Sequence, residues 1–273
     1  MTARRTWLQN VVFLVFSFWV MAAAAEVTRP QVATVTPIAH SLAASLLKGT
    51  EIEVVYLPPP RLPVNRVASW LRKNRSNKFA SYDALLSISD AVPEFAFSHT
   101  LRQSNIRLVT IDIAYARLPE GEKVVLRDAK EFFWLNSNNL LLMLGVARRD
   151  LTLMWPTHRQ RIQDNFQRIS AVVRKLNLGV ENALFAGEIV ALTFSKPSLQ
   201  PLAGSLSLDI MTLDEVGSLQ VPALLVGNRK PRAEADLNSL RGYWQIDDLS
   251  RFSKQPLEAR MQANLKNLQM LFE

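Results

Sequence analysis

The sequence predicts an α/β protein of two lobes, each built on a four-stranded, mainly parallel sheet, with one long helix joining them. Three observations lead there. Eight short apolar runs rich in β-branched residues divide four and four around a long amphipathic segment. Each run is almost continuously apolar, as strands covered on both faces of a parallel sheet must be. Stretches long enough for helices separate most of the runs, as crossovers between parallel strands require.

The first four runs are 31–37, 52–57, 84–89 and 107–113; the second four are 188–194, 207–212, 221–226 and 243–246. Between the two sets, Ile162, Phe166, Ile169, Val172, Val173 and Leu176 recur at three- and four-residue spacing, which predicts a helix. Pro156 suits its first turn and Gly179 its stop, giving a spine of about 23 residues and about 35 Å. A second helix is expected over 138–151 and a closing one over 257–272. The proline-rich segment 58–63 holds off any helix until Val64. One connection is short: only 213–220 separate the sixth and seventh runs. Either the crossover is abbreviated or those strands are not parallel neighbours.

The first 25 residues read as a secretory leader. Arg4 and Arg5 precede an apolar core at 11–21, and Ala23-Ala24-Ala25 offers a cleavage site before Glu26. The apolar core is short for a bilayer span, which needs about 20 residues. The expected organisation is a leader at 1–25, an N-terminal lobe at 26–155, a linking helix at 156–182 and a C-terminal lobe at 183–273. The net charge of +8 falls to +6 without the leader, which carries two arginines and no acid. Cations gather at 72–75 and 228–232, without the aromatic interleaving of a nucleic-acid surface. There is no cysteine, so disulfides, thiolate metal sites and a lipid-modified cysteine are excluded. The expectation is a freely diffusing periplasmic monomer.

Several pieces in order carry a resemblance. They are Val35-Thr36-Pro37-Ile38-Ala39-His40-Ser41-Leu42, Tyr56-Leu57-Pro58, Phe133-Trp134-Leu135-Asn136, Arg161 with Asn165, Ile246-Asp247-Asp248-Leu249, and Asn264-Leu265 with Leu268. The set resembles the solute-binding proteins of bacterial zinc and manganese ABC importers, the cluster A-I type, over nearly all of the chain. The resemblance implies two lobes on one long helix, a permease in the inner membrane as partner, and a metal held in the cleft by three histidines and a carboxylate.

Carried over by position, those ligands depart from the pattern. The first histidine falls at or near Val64, the second at Phe132 and the third near Lys196; only the carboxylate is kept, at Asp247. Valine and phenylalanine cannot coordinate, and an ammonium repels a divalent cation. One carboxylate is not a zinc site. Of the three histidines, His99 and His158 read as packing or surface residues, and His40 is the one expected near the cleft. Glu131 could join His40 and Asp247 in an improvised site, which leaves room for weak zinc or manganese binding and for no resident cofactor. A sharper expectation places the Lys196 ammonium on Asp247, in the cation's stead.

No nucleophile elbow, phosphate loop or hydrolase cluster occurs, so the chain is not read as an enzyme. The leading expectation is a periplasmic solute-binding component that does not hold free zinc or manganese tightly and takes a metal chelate or other small solute. Two alternatives stay open: a non-binding docking protein of the envelope, and a metal binder with rearranged ligands.

Overall fold

The structure is a computed structural model that describes residues 29–128, 130–229 and 240–273. The expected leader and residues 230–232 of the second cationic cluster lie outside the described residues. Among the described residues, eight strands form two sheets. β1 (Gln31–Thr34), β2 (Glu53–Tyr56), β3 (Ala84–Ser87) and β4 (Val109–Asp112) form the first, in the order β2-β1-β3-β4. β5 (Ala191–Phe194), β6 (Asp209–Ile210), β7 (Ala223–Gly227) and β8 (Gly242–Gln245) form the second, in the order β6-β5-β7-β8. Every pairing is parallel. The two lobes therefore repeat one topology although no repeat is visible in the sequence. The central strands β1, β3, β5 and β7 are almost wholly buried, which is why their sequences alternate so little.

The short connection at 213–220 is resolved on both counts. β6 and β7 flank β5 on opposite sides and are not neighbours. They are joined by a helix of about two turns, α6 (Leu213–Leu219). Its brevity is offset by a capping box: Glu215 N donates to Thr212 Oγ1 at 3.3 Å, and Thr212 N donates back to the Glu215 carboxylate at 2.7 Å.

Before it come α1 (Pro37–Leu46), α2 (Val64–Lys73), α3 (Ser98–Arg102), α4 (Ser137–Met154) and α5 (Arg159–Ala186). The chain closes with α7 (Leu257–Gln269). Helix α1 is buried nearly all round, because the first sheet covers one side and α4, α5 and α7 the other. Asn165 of α5 ties the spine to it, donating from Nδ2 to the carbonyls of Leu46 and Lys48, both at 2.8 Å. Those two carbonyls lie at the end of α1, where helical partners run out.

The spine is longer than its sequence suggested. It spans 28 residues, about 42 Å, and ends at Gly187 instead of Gly179. The expected linking segment 156–182 thus begins with a 3-10 turn, Pro156–His158, and its helix runs on to Ala186. Gly179 is no stop signal. A Cβ there would lie 2.8 Å from Leu265 Cδ2, so the glycine is a notch in which α7 crosses the spine.

Candidate functional site between the lobes

Ligands of open parallel sheets sit beyond the carboxyl ends of the strands, where the strand order reverses. In the first sheet this point lies beyond β1 and β3, and in the second beyond β5 and β7. The residues that follow the strands there, with the turn after β8, make the candidate site.

Asp247 and Asp248 form that turn. Asp247 Oδ1 accepts from Leu249 N at 2.9 Å, and Asp248 Oδ1 accepts from Ser250 N at 3.0 Å. These bonds hold Leu249 at φ 59°, in the left-handed region, a strained setting for a bulky side chain. The turn is over-determined, as a site that must present a carboxylate in one orientation needs to be.

The partner of Asp247 is Arg260, on α7. The guanidinium makes a fork, Nε to Oδ2 and Nη2 to Oδ1, both at 2.7 Å. Its remaining arm, Nη1, reaches Ser41 Oγ of α1 at 3.4 Å, across to the other lobe. Arg260 is 2% exposed, and its carboxylate partner is 37% exposed. Asn264, one turn along α7, completes the clamp: Asp247 N donates to Asn264 Oδ1 at 2.6 Å, and Asn264 Nδ2 donates to the Asp247 carbonyl at 3.0 Å. A bidentate, charge-assisted pair of this kind fixes geometry as well as charge.

This corrects the expected pairing of Lys196 with Asp247. Lys196 is exposed beyond β5, and its Nζ donates to Asn228 Oδ1 at 3.2 Å. The Asn228 amide in turn donates to the buried Asp248 carboxylate. Lys196 therefore faces the second aspartate, through an amide. Arg260 had a signal in the sequence. It falls on the helical face shared by Leu257, Asn264 and Leu268, so a cation stands in a buried row of the closing helix.

His40, near the start of α1, meets Tyr56 at the end of β2 and Phe252 after β8. The ring centroids are 5.8 Å from His40 to Tyr56, 4.8 Å from His40 to Phe252, and 4.7 Å from Tyr56 to Phe252, the last pair stacked. Rings of both lobes thus close this corner. His40 Nδ1, the Tyr56 hydroxyl and Thr36 Oγ1 are buried there without hydrogen-bond partners. Burial lowers His40 to about 4 and raises the Tyr56 hydroxyl. An imidazole among rings is thereby kept neutral.

A pH dependence follows from His40. In the unfolded chain it protonates near 6.5, whereas in the folded chain it stays neutral to about 4. Between these values the unfolded state binds the extra proton, so stability falls as pH falls through that window and is unaffected above it. The slope predicts a loss of roughly 2 kcal/mol between pH 6.5 and pH 5. His40→Phe should remove that loss in urea unfolding measured at both pH values; a parallel pH dependence in the two proteins would contradict it.

Phe132 stacks on Trp134, 5.1 Å between centroids at 20°. Its backbone N donates to the Ser198 carbonyl of the other lobe at 2.9 Å. Trp134, 3% exposed, donates from Nε1 to the Asp248 carbonyl at 2.9 Å. The segment chosen for a ligand in the sequence is thus a seam between lobes. Val64 opens α2, half-buried against the core. Glu131 lines a separate crevice of about 380 Å³ with Arg127, Asn136 and Gln200. His40 lines another, of about 230 Å³, with Ser41, Ser45, Lys48, Arg168 and Lys254. His40, Glu131 and Asp247 are not brought together. His99 is exposed on α3 and His158 half-exposed in the turn before the spine.

Among the described residues, no three His, Cys, Asp or Glu side chains gather as a cation site. The His40 imidazole is packed among rings, and the Asp247 carboxylate oxygens are held by the Arg260 guanidinium.

Comparison with known proteins places the fold. No protein-family model matches the sequence, nor does any curated protein. Solved structures do match. The metal-dependent lipoprotein YcdH from Bacillus subtilis superposes with a TM-score of 0.65 at 12% identity, covering 88% of this chain and 98% of its own. FpvC from Pseudomonas aeruginosa, a solute-binding protein in complex with Mn2+, gives 0.62 at 12%, covering 90% and 99%. A Cd-bound periplasmic metal binding protein from Candidatus Liberibacter asiaticus gives 0.60 at 12%, covering 89% and 100%. The resemblance read from the sequence holds at the level of the fold: two parallel four-stranded sheets joined by one long helix.

Proposed function

We propose that this chain, with the fold of metal-binding solute-binding proteins, is a cell-envelope protein that works beside an inner-membrane ABC permease and does not carry free zinc or manganese. The observation that carries this reading is the Asp247–Arg260 pair. The one carboxylate at a cargo-ligand position is neutralised by a cation of the chain itself, which is buried and reaches Ser41 with its remaining arm. A divalent ion would have to displace the guanidinium, leaving it buried without its counter-charge, which costs several kcal/mol. The replacement of histidine-type positions by Val64 and Phe132 agrees with it, and no catalytic step forms part of it. Periplasmic location rests on the leader-like residues 1–25. Among the described residues no helix is long and apolar enough to cross a membrane.

A second reading keeps a cargo but changes its kind, to a metal chelate or another small polar solute. The crevice of about 230 Å³ beside His40 favours it, since it draws on both lobes and the spine and is lined by hydroxyls and cations.

The test is thermal unfolding of chelator-stripped protein with zinc or manganese added. A cargo at 100 times its dissociation constant would add about 2.7 kcal/mol, a rise of roughly 5–10 °C for a chain of this size. No rise is expected with either ion. A rise of that size with either would overturn the reading and return Asp247 to the ligand set.

A further inference from the structure

We propose that the exposed face of α2 and the turn after it form an electrostatic docking surface for a membrane bearing anionic phospholipid headgroups. Six cations, Arg61, Arg66, Arg72, Lys73, Arg75 and Lys78, fall between Val54 and Tyr82, and that stretch contains no Asp or Glu. All six are exposed, and among the described residues none of them is in an ion pair.

The helix arranges them. With Val67 and Leu71 buried and about 100° of rotation per residue, Arg66, Ser69, Arg72 and Lys73 share the opposite side. The following turn is held against the lobe. Trp70, Phe79 and Phe97 make an aromatic triad with centroids 5.2–6.4 Å apart. Asn74 Nδ2 donates to the Trp70 carbonyl at 2.8 Å, and Asn77 Nδ2 to Asn74 Oδ1 at 2.6 Å. Arg75 and Lys78 are therefore presented on an ordered turn, in line with the helix.

The extent of the array selects its partner. The ten residues of α2 cover about 15 Å, wider than a small anion and wider than the screening length of about 8 Å at physiological salt. A plane of headgroups meets all of these charges at once. Each basic residue at such a surface contributes about a fivefold gain in partition, so the array acts as a polybasic patch on a folded scaffold. This inference does not depend on what, if anything, occupies the cleft.

The experiment is co-sedimentation of the purified protein with phosphatidylglycerol-containing vesicles and with phosphatidylcholine vesicles. Binding is expected with the first only, and should vanish near 1 M salt, where screening shortens to about 3 Å. The variant Arg66→Glu/Arg72→Glu/Lys73→Glu/Arg75→Glu should partition about 600-fold more weakly or beyond, at about fivefold for each cation lost. A matched variant, Lys123→Glu/Arg174→Glu/Lys175→Glu/Arg251→Glu, has the same net charge with exposed cations changed elsewhere, and should stay near wild type. If the first variant fails to fold, glutamine at the same four positions gives the same reading. Equal loss in both variants would reduce the effect to net charge and overturn the proposal. So would no vesicle binding, or binding only to a soluble acidic polypeptide such as polyglutamate, which would make the face a protein contact.

Discussion

Arg260→Ala is expected to lower stability by about 2–3 kcal/mol, a drop of roughly 5–10 °C in the unfolding midpoint. Removing one member of a buried ion pair typically costs 3–5 kcal/mol. The lower figure applies because the Asp247 carboxylate is about a third exposed and water can replace part of what it loses. The stranded carboxylate, the orphaned Ser41 contact and the cavity left by the guanidinium all act in the same direction. The measurement is the urea midpoint at constant slope. The double variant Arg260→Met/Asp247→Leu should recover most of the loss, because an apolar pair avoids the desolvation that the ion pair suffers. If Arg260→Ala unfolds with the wild type, the guanidinium is not holding the carboxylate, and the Asp247–Arg260 argument fails with it.

Trp134→Ala is expected to cost more, about 3–5 kcal/mol. The indole is buried, packs edge-on against Phe133 and flat against Phe132, and carries the hydrogen bond to Asp248 of the other lobe. Trp134→Phe separates these contributions. It keeps most of the packing and loses only the bond, which is worth about 1 kcal/mol plus the burden of an unpaired carbonyl. The expected order of midpoints is therefore wild type, then Phe, then Ala. A Phe variant as unstable as Ala would put the stability in the single hydrogen bond and leave the packing account wrong.

The fold was legible because parallel strands covered on both faces write themselves as continuous apolar runs, and all eight fell where such runs occur. The spine was legible in its apolar stripe but not in its length. Gly179 looks like a stop, and only the crossing of Leu265, far along the chain, shows it to be a notch. The pairings around the turn after the last strand were not legible in the sequence. Asp247 was marked from the resemblance carried by Ile246-Asp247-Asp248-Leu249. Which cation reaches it depends on how α7 folds back over the turn, and that brings Arg260 thirteen residues downstream into contact while leaving Lys196 at the surface. The His40 corner was half legible: the histidine was marked, but Tyr56 and Phe252 come from other elements and meet it only in three dimensions.

The hydrogen-bonded ladder of α5 runs unbroken from Arg159 to Ala186 and touches both lobes. Such a rod has no joint. Drawing the two sheets apart would bend it elastically, and the strain would pull them back, so the spine behaves as a leaf spring whose rest position is the arrangement described above. Whatever enters or leaves between the lobes has to work against that restoring force, and a clasp such as Arg260 on Ser41 needs only to add to a preference that the spine already has.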